Sequence, residues 1–170
     1  MSDLPAEVQN WIGKKRHEEA GEFDVERGFI LSACSSVENG NAIYWDEDAA
    51  NEITAGWIAP PTTISTWCRP HYWAPYREGE GLPLRTHFDL KEALELPEAI
   101  MSSDELIFYE PVRPGDRVNQ YQSLESVSEE KTTRLGTGRF WNIEVHYESL
   151  SGDPYVVEKI AGFGYVREAS

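Results

Sequence analysis

A short polar stretch, residues 37–46, holds the side chains best suited to chemistry, and it lies between two predicted helices. Glu38 and Asp46 carry carboxylates that could activate a water molecule, but each lies at a predicted helix end, where capping is the simpler role. Asn39 has an amide that cannot accept a proton near neutral pH. Tyr44 is a poor acid or base there, because the ordinary pKa of tyrosine is about 10. The stretch therefore contains either a hydrolytic carboxylate or polar side chains that satisfy their own loop.

Helices are predicted on both sides of this stretch. Residues 5–17 have Pro5 in the first turn and one apolar face, which predicts an N-terminal helical extension within residues 1–20. Asp24 predicts an N-cap for the helix that leads into the stretch. Asp46 predicts the cap of another short helix, because two further acidic residues follow it in the first turn.

The next segment, residues 55–67, predicts a shortened central helix. Pro61 suits the first turn of a helix, where its missing N–H costs nothing. Pro70 and Pro75 follow closely, and a proline inside a helix costs about 3 kcal/mol. The helix should therefore run for only about two turns.

The remainder of the chain predicts a loop, one more helix and then a sheet. Residues 70–84 are rich in proline, glycine and aromatic residues, which indicates a loop, and residues 88–96 predict a helix. The last 70 or so residues alternate apolar and polar side chains between turn signals, which is typical of an antiparallel sheet. The predicted strands are residues 103–109, 118–127, 140–147 and 155–166.

The composition excludes several classes of function. The formal net charge is −15, which disfavours nucleic-acid binding because phosphates need a basic face. Cys34 and Cys68 form no CxxC pair, so we expect neither a disulfide framework nor a metal site. The N-terminus has no signal pattern and no apolar run approaches the roughly 18 residues that span a bilayer. We therefore expect a single cytoplasmic domain over residues 1–170.

The polar stretch resembles the signature loop of the MaoC-like (R)-specific enoyl-CoA hydratases, which are hot-dog proteins related to FAS1-type dehydratases. That loop runs Gly-Asp-x-Asn-Pro-Ile-His-x-Asp, then three residues, then Ala. The matching positions here are Asn41, Ile43, Asp46 and Ala50. Further similar segments are residues 58–59, 109–116, 138–140 and 151–156.

The resemblance implies an α+β hot-dog fold, in which an antiparallel sheet wraps around the shortened central helix. It is strongest to the N-terminal halves of these dehydratases. Asn39 stands where the family has its general-base Asp, and Tyr44 stands where it has its His. Pro61 replaces a Gly whose backbone N–H stabilises the thioester oxygen. No residue of this chain is therefore expected to be catalytic, and unaided hydratase activity is improbable.

The resemblance also implies a partner. We expect the degenerate, substrate-pocket half of a heteromeric enoyl-CoA hydratase, which adds water to a 2-enoyl-CoA. Because the chain ends at Ser170, the catalytic hot-dog half should be a separate subunit in a heterodimer or heterotetramer. The CoA thioester would be the substrate, with no other cofactor. The alternatives are a hot-dog acyl-CoA thioesterase using Glu38 or Asp46, and a non-enzymatic acyl-ligand-binding or structural subunit.

Aromatic residues around the central helix suggest how a substrate would be bound. A short helix would leave room on the sheet for a bulky acyl group, such as the steroid side-chain intermediates on which related heteromeric hydratases act. The alternative is that these aromatic residues are ordinary core or dimer contacts. His71 and His87 could act as acid–base groups, but a lone histidine is more often structural. The proposed substrate-binding residues are Trp57, Trp67, His71, Tyr72, Trp73 and Tyr76.

Overall fold

The computed structural model describes residues 4–69, 71, 73–76 and 82–167. No helix in these parts of the chain is both long enough and apolar enough to cross a membrane. The helices are α1 (Ala6–Trp11), α2 (Arg27–Ser36), α3 (Ala42–Trp45), α4 (Glu47–Thr54), a central 3₁₀ helix (Pro61–Cys68) and α5 (Arg85–Ala93). The strands are β1 (Lys15–Ala20), β2 (Glu98–Phe108), β3 (Val118–Val127), β4 (Lys131–Thr133), β5 (Gly136–Ser149) and β6 (Pro154–Val166).

The strands form one antiparallel sheet in the order β1-β3-β5-β6-β2, with β4 paired beside β5. Strand β5 shows why the sequence predicts it so clearly. Trp141, Ile143 and Val145 are buried, whereas Asn142 between them is exposed. Successive side chains of a strand point to opposite faces, so this alternation places one face against the core. We call the face that carries Trp141, Ile143 and Val145 the inner face.

The central 3₁₀ helix packs on the inner face and joins the same apolar core. Its buried side chains are Ile64, Trp67 and Cys68. Trp67 is 1% exposed, so the helix is fixed to the sheet by the largest side chain it has. The helix has eight residues, which confirms the short central helix predicted from the nearby prolines.

The predicted N-terminal helical extension is wrong beyond Trp11. Gly13 adopts a φ of 69°, a conformation that glycine tolerates and that ends the helix. The Gly13 N–H donates to the carbonyl of Leu124 at 2.9 Å, and Lys15–Ala20 then pairs with β3. Residues whose local pattern favours a helix therefore form the edge strand of the sheet, because pairing with β3 satisfies their backbone groups.

The predicted cap at Asp24 is also wrong. Helix α2 begins at Arg27 and follows Glu26, and no side chain caps it. The Asp24 carboxylate instead accepts a hydrogen bond from Arg117 Nε at 2.7 Å. The Asp24 side chain, which the local sequence predicts to be the helix cap, therefore forms a long-range ion pair instead.

The other predicted elements are present with shifted ends. Strand β3 has the predicted bounds, whereas the predicted helix over residues 88–96 begins earlier and ends earlier, as Arg85–Ala93. Strand β2 begins at Glu98, five residues before the predicted start at residue 103. The earlier start of β2 lengthens the part of the chain that pairs within the sheet.

Candidate functional site

The signature loop is held by its own polar side chains. The Asn39 side-chain oxygen accepts from the Asn41 N–H at 3.1 Å, and the Asn41 side-chain oxygen accepts from the Ile43 N–H at 3.2 Å. The Asn39 backbone carbonyl also accepts from the Trp45 indole N–H at 2.7 Å. These are turn and cap contacts. The amide that stands at the position of the family's base is therefore engaged with the loop backbone.

Tyr44 lies inside the core rather than at an open site. Tyr44 is 5% exposed, and burial raises the pKa of its phenol above the ordinary value for tyrosine. The neighbouring Cys34 is buried as well, and burial raises the pKa of that thiol although Arg27 opposes the shift. Neither group can take up or release a proton readily near neutral pH.

The two carboxylates of the loop, those of Asp46 and Glu38, differ in their surroundings. Asp46 caps α4, because its Oδ1 accepts from the Ala49 N–H at 2.8 Å, which confirms the predicted cap. Glu38 is exposed and follows α2 with a φ of 53°. The cap contact engages one oxygen of the exposed Asp46 carboxylate.

A cavity of about 120 Å³ lies at the start of the central helix. Pro61 begins that helix and has no N–H to offer a ligand. The Ala59 N–H is also engaged, since it donates to the Val112 carbonyl at 2.7 Å. The lining is mostly apolar and comprises Ala59, Pro60, Pro61, Ile64, Trp67, Phe108, Tyr109, Glu110, Pro111, Val112, Tyr155 and Val156.

The predicted aromatic site residues do not converge on this cavity. Trp67 lines it, whereas the Trp57 ring lies 3.3 Å from the Arg27 guanidinium carbon. His71 Nδ1 lies 2.6 Å from a carboxylate oxygen of Glu22.

Two more of the predicted residues face away from the core. Trp73 and Tyr76 are 77% and 75% exposed. Tyr72 lies outside the described residues. The cavity walls that the sequence did not assign to the site come from the end of β2 and the start of β6. The signals for them were the family-like segments 109–116 and 151–156, which lie far along the chain from the central helix.

A wider, open cleft lies between α1 and α5, and its negatively charged lining does not suit the anionic CoA. It measures about 720 Å³ and five carboxylates line it, from Glu7, Asp89, Glu92, Glu95 and Glu130. The phosphates of CoA would be repelled by this set. Among the described residues, no group of three or more His, Cys, Asp and Glu side chains is arranged to hold a metal ion.

Comparisons with known proteins agree with this architecture. Residues 10–158 match the family described as the FAS1-like dehydratase domain region. A probable enoyl-CoA hydratase alpha subunit of Thermomonospora curvata is 26% identical over 162 residues, which are 92% of this chain and 50% of that protein. The chain therefore spans about half the length of this curated relative.

Solved structures show the same fold. The ChsH1-ChsH2 complex from Mycobacterium tuberculosis contains a chain that superposes with a TM-score of 0.77 at 20% identity, covering 96% of this chain and 90% of that one. The MaoC-like dehydratase from Rhodospirillum rubrum superposes with a TM-score of 0.60 at 15% identity, covering 90% and 93%. The predicted α+β hot-dog fold is thereby confirmed. With the family match extending over most of its length, the chain belongs to the FAS1-like dehydratase domain region family.

Proposed function

We propose that this protein is the substrate-pocket subunit of a heteromeric MaoC-like enoyl-CoA hydratase. The assembled enzyme would add water across the double bond of a 2-enoyl-CoA to give a 3-hydroxyacyl-CoA. A second hot-dog subunit would supply the base that activates water and the acid that protonates the α-carbon. The CoA thioester would be the substrate, and the reaction needs no further cofactor.

The state of the signature loop carries this proposal. The Asn39 amide has no basic electron pair and is bound to the loop backbone, and the Tyr44 phenol is buried with a raised pKa. Loss of general acid–base help costs about 10²–10⁴ in rate, and loss of an oxyanion donor, as at Pro61, costs about 10²–10³. These losses are not additive, but any one of them leaves an ineffective hydratase. A matched loop without its reactive groups is best explained if another chain carries them.

The two edges of the sheet support one docking face for that partner. Both edge strands contain a register shift, but β1 is the better protected edge, because it has six residues against eleven in β2 and His17 has a φ of 51°. Strand β2 has no strand on its outer side among the described residues. Large apolar side chains along or next to it are exposed, namely Ile100, Met101, Phe108 and Tyr109. We therefore place the catalytic subunit along β2, where it would extend the sheet.

The size of the cavity also favours a shared pocket. A cavity of about 120 Å³ is smaller than the 300–1,000 Å³ typical of small-molecule sites, so it holds only part of an acyl group. Phe108 and Tyr109 line it and also lie at the β2 edge, so a partner docked there would complete the walls. The eight-residue central helix leaves more of the sheet uncovered than a full-length helix would. We propose a bulky acyl group, with a steroid-like ring system as the leading candidate.

Co-expression with a hot-dog protein that retains the Asp and His of the signature loop tests the proposal. The purified chain alone should hydrate an enoyl-CoA no faster than buffer, and the complex should be active. Changing the Asp and His of the partner's loop should abolish that activity, whereas the matched changes Asn39→Ala and Tyr44→Phe should not. Full activity of the isolated chain would contradict the proposal, and release of free CoA by the isolated chain would indicate a thioesterase instead.

A further inference from the structure

A hydrogen-bonded acidic pair interrupts the apolar inner face of the sheet. The Tyr147 hydroxyl donates to Glu158 Oε2 at 2.7 Å. Tyr147 is buried, and Glu158 is half-buried. Along β6, Glu158 lies between Val156 and Ile160 at a spacing of two residues, so all three side chains point to the inner face. A carboxylate thus stands among the side chains that pack under the central helix.

The pair lies beyond the cavity and toward the far end of that helix. Val156 lines the cavity, and Glu158 follows it about 7 Å further along the strand at ~3.3 Å per residue. Tyr147 is close enough to Cys68 and Arg69, at the end of the helix, for their charges to affect its ionisation. From Pro61 to Cys68 the helix rises about 14 Å at ~2.0 Å per residue. An extended ten-carbon chain spans roughly 11 Å, from ~3.5 Å per three backbone bonds, so a long acyl group bound at the helix start would reach the pair.

Tyr147 engages one oxygen of the Glu158 carboxylate, and the other oxygen is open to solvent. One oxygen accepts from Tyr147, and no Lys, Arg or His among the described residues lies within ion-pair distance of it. Burial raises the pKa of this carboxyl and Asp104 adds to the shift, while the hydrogen bond from Tyr147 and the charge of Arg69 oppose it. Partial burial of a carboxylate costs stability, and its open oxygen can accept a further hydrogen bond. An apolar residue or an amide would serve packing better, which points to a ligand.

We propose that Glu158, oriented by Tyr147, accepts a hydrogen bond from a hydroxyl group on the acyl chain, far from the thioester. Tyr147 is then a positioning residue and Glu158 a specificity-determining residue. The subunit would select 2-enoyl-CoA substrates that carry a distal hydroxyl over unsubstituted ones. This inference rests on the proposed function, because it requires the acyl group of an enoyl-CoA to occupy the cavity at the start of the central helix.

The test compares two probes on the purified complex of this chain with its hydratase partner. The probes are trans-2-decenoyl-CoA and its ω-hydroxy counterpart, and the readout is the ratio of their kcat/KM values. The wild-type complex should prefer the hydroxylated probe by about tenfold, which is the value of one hydrogen bond to a charged group. Glu158→Gln should remove most of that preference and Glu158→Leu all of it. Tyr147→Phe should weaken it.

A matched control uses a carboxylate on the other face of the same sheet. Glu144 on β5 binds Lys159 at 2.9 Å on the outer face, so Glu144→Gln should leave the ratio of the two probes unchanged. The stability of Glu158→Gln provides a second readout. Because the pKa of Glu158 is raised in the folded state, its ionisation opposes folding at neutral pH, and the amide variant should be at least as stable as the wild type there. A merely structural Glu158 would give a less stable variant with both probes affected alike.

The possible outcomes separate the two proposals. Equal kcat/KM for both probes in the wild-type complex, or an equal effect of Glu158→Gln on both, overturns the inference while the hydratase function stands. A complex that hydrates no 2-enoyl-CoA, neither the two probes nor a steroid-like one, overturns the proposed function, and the inference fails with it. Selective loss of the hydroxylated probe supports both.

Discussion

Replacing Tyr44 with phenylalanine separates a packed aromatic residue from an acid–base group. The side chain is 5% exposed, and burial raises the pKa of its phenol, so the hydroxyl should exchange no proton with substrate at neutral pH. Tyr44→Phe keeps the ring and removes one oxygen. We expect the stability of the variant to lie within about 1 kcal/mol of the wild type, which is the typical net value of one hydrogen bond. We expect hydration by the complex to remain within about twofold.

The competing hypothesis, in which Tyr44 transfers a proton during the reaction, predicts a loss of hydration rate far greater than twofold. A residue that transfers a proton in the transition state contributes about 10²–10⁴ in rate, which is roughly 3–5 kcal/mol of barrier. The assay is the rate of loss of the enoyl thioester by the co-purified complex, together with the denaturant midpoint of each variant. Two orders of magnitude are easily distinguished from a factor of two.

A second variant shows that the ring itself matters. Tyr44→Ala removes a buried aromatic side chain and should cost about 3–5 kcal/mol in the free energy of unfolding. If Tyr44→Phe instead lowers kcat by a hundredfold or more while its denaturant midpoint stays unchanged, the assignment of Tyr44 to packing is wrong, and with it the case for a partner's acid–base pair.

Three further changes test other parts of the structure. Trp67→Ala should lower the free energy of unfolding by about 3–5 kcal/mol in urea titrations, because Trp67 is 1% exposed and anchors the central helix; a loss below 1 kcal/mol would contradict that anchoring. Asp46→Ala should cost about 1 kcal/mol through the lost cap of α4, with the activity of the folded complex unchanged; a large loss of activity at equal stability would favour the thioesterase mechanism. Burial raises the pKa of the Cys68 thiol from 9.0 to about 12, so the unfolded chain loses this proton first and the contribution of Cys68 to stability should fall as pH rises above 9.0. Unfolding curves of the wild type and Cys68→Ala, measured below and above that pH, should show a shallower decline in the variant.

The sequence predicts elements well where the pattern is local. The alternation around Trp141 and Ile143 locates β5, and the prolines that follow the central segment correctly limit its helix. It fails where a distant partner decides the conformation. Residues 15–20 form a strand because β3 offers its backbone groups, and the Asp24 carboxylate is bound by Arg117. A sequence window as long as one helix contains neither β3 nor Arg117, so the local pattern cannot predict these contacts.

The site shows the same division. The loop motif indicates Asn39 and Tyr44, since motif positions can be compared one by one. The cavity, by contrast, is built from the start of the central helix and from residues such as Phe108 and Val156, which come together only through the order of the strands. The pair Tyr147–Glu158 was equally hidden, because its two members lie diagonally across neighbouring strands.

The outer edge of β2, unpaired within the described part of the chain, limits how much of this protein can accumulate in a cell without aggregating. A strand that exposes backbone donors and acceptors together with Ile100 and Met101 is a template for any other extended chain. Copies made in excess of whatever covers that border will therefore pair with each other or precipitate. For the proposed heteromer, balanced synthesis of the two subunits is then a condition of solubility as much as of activity.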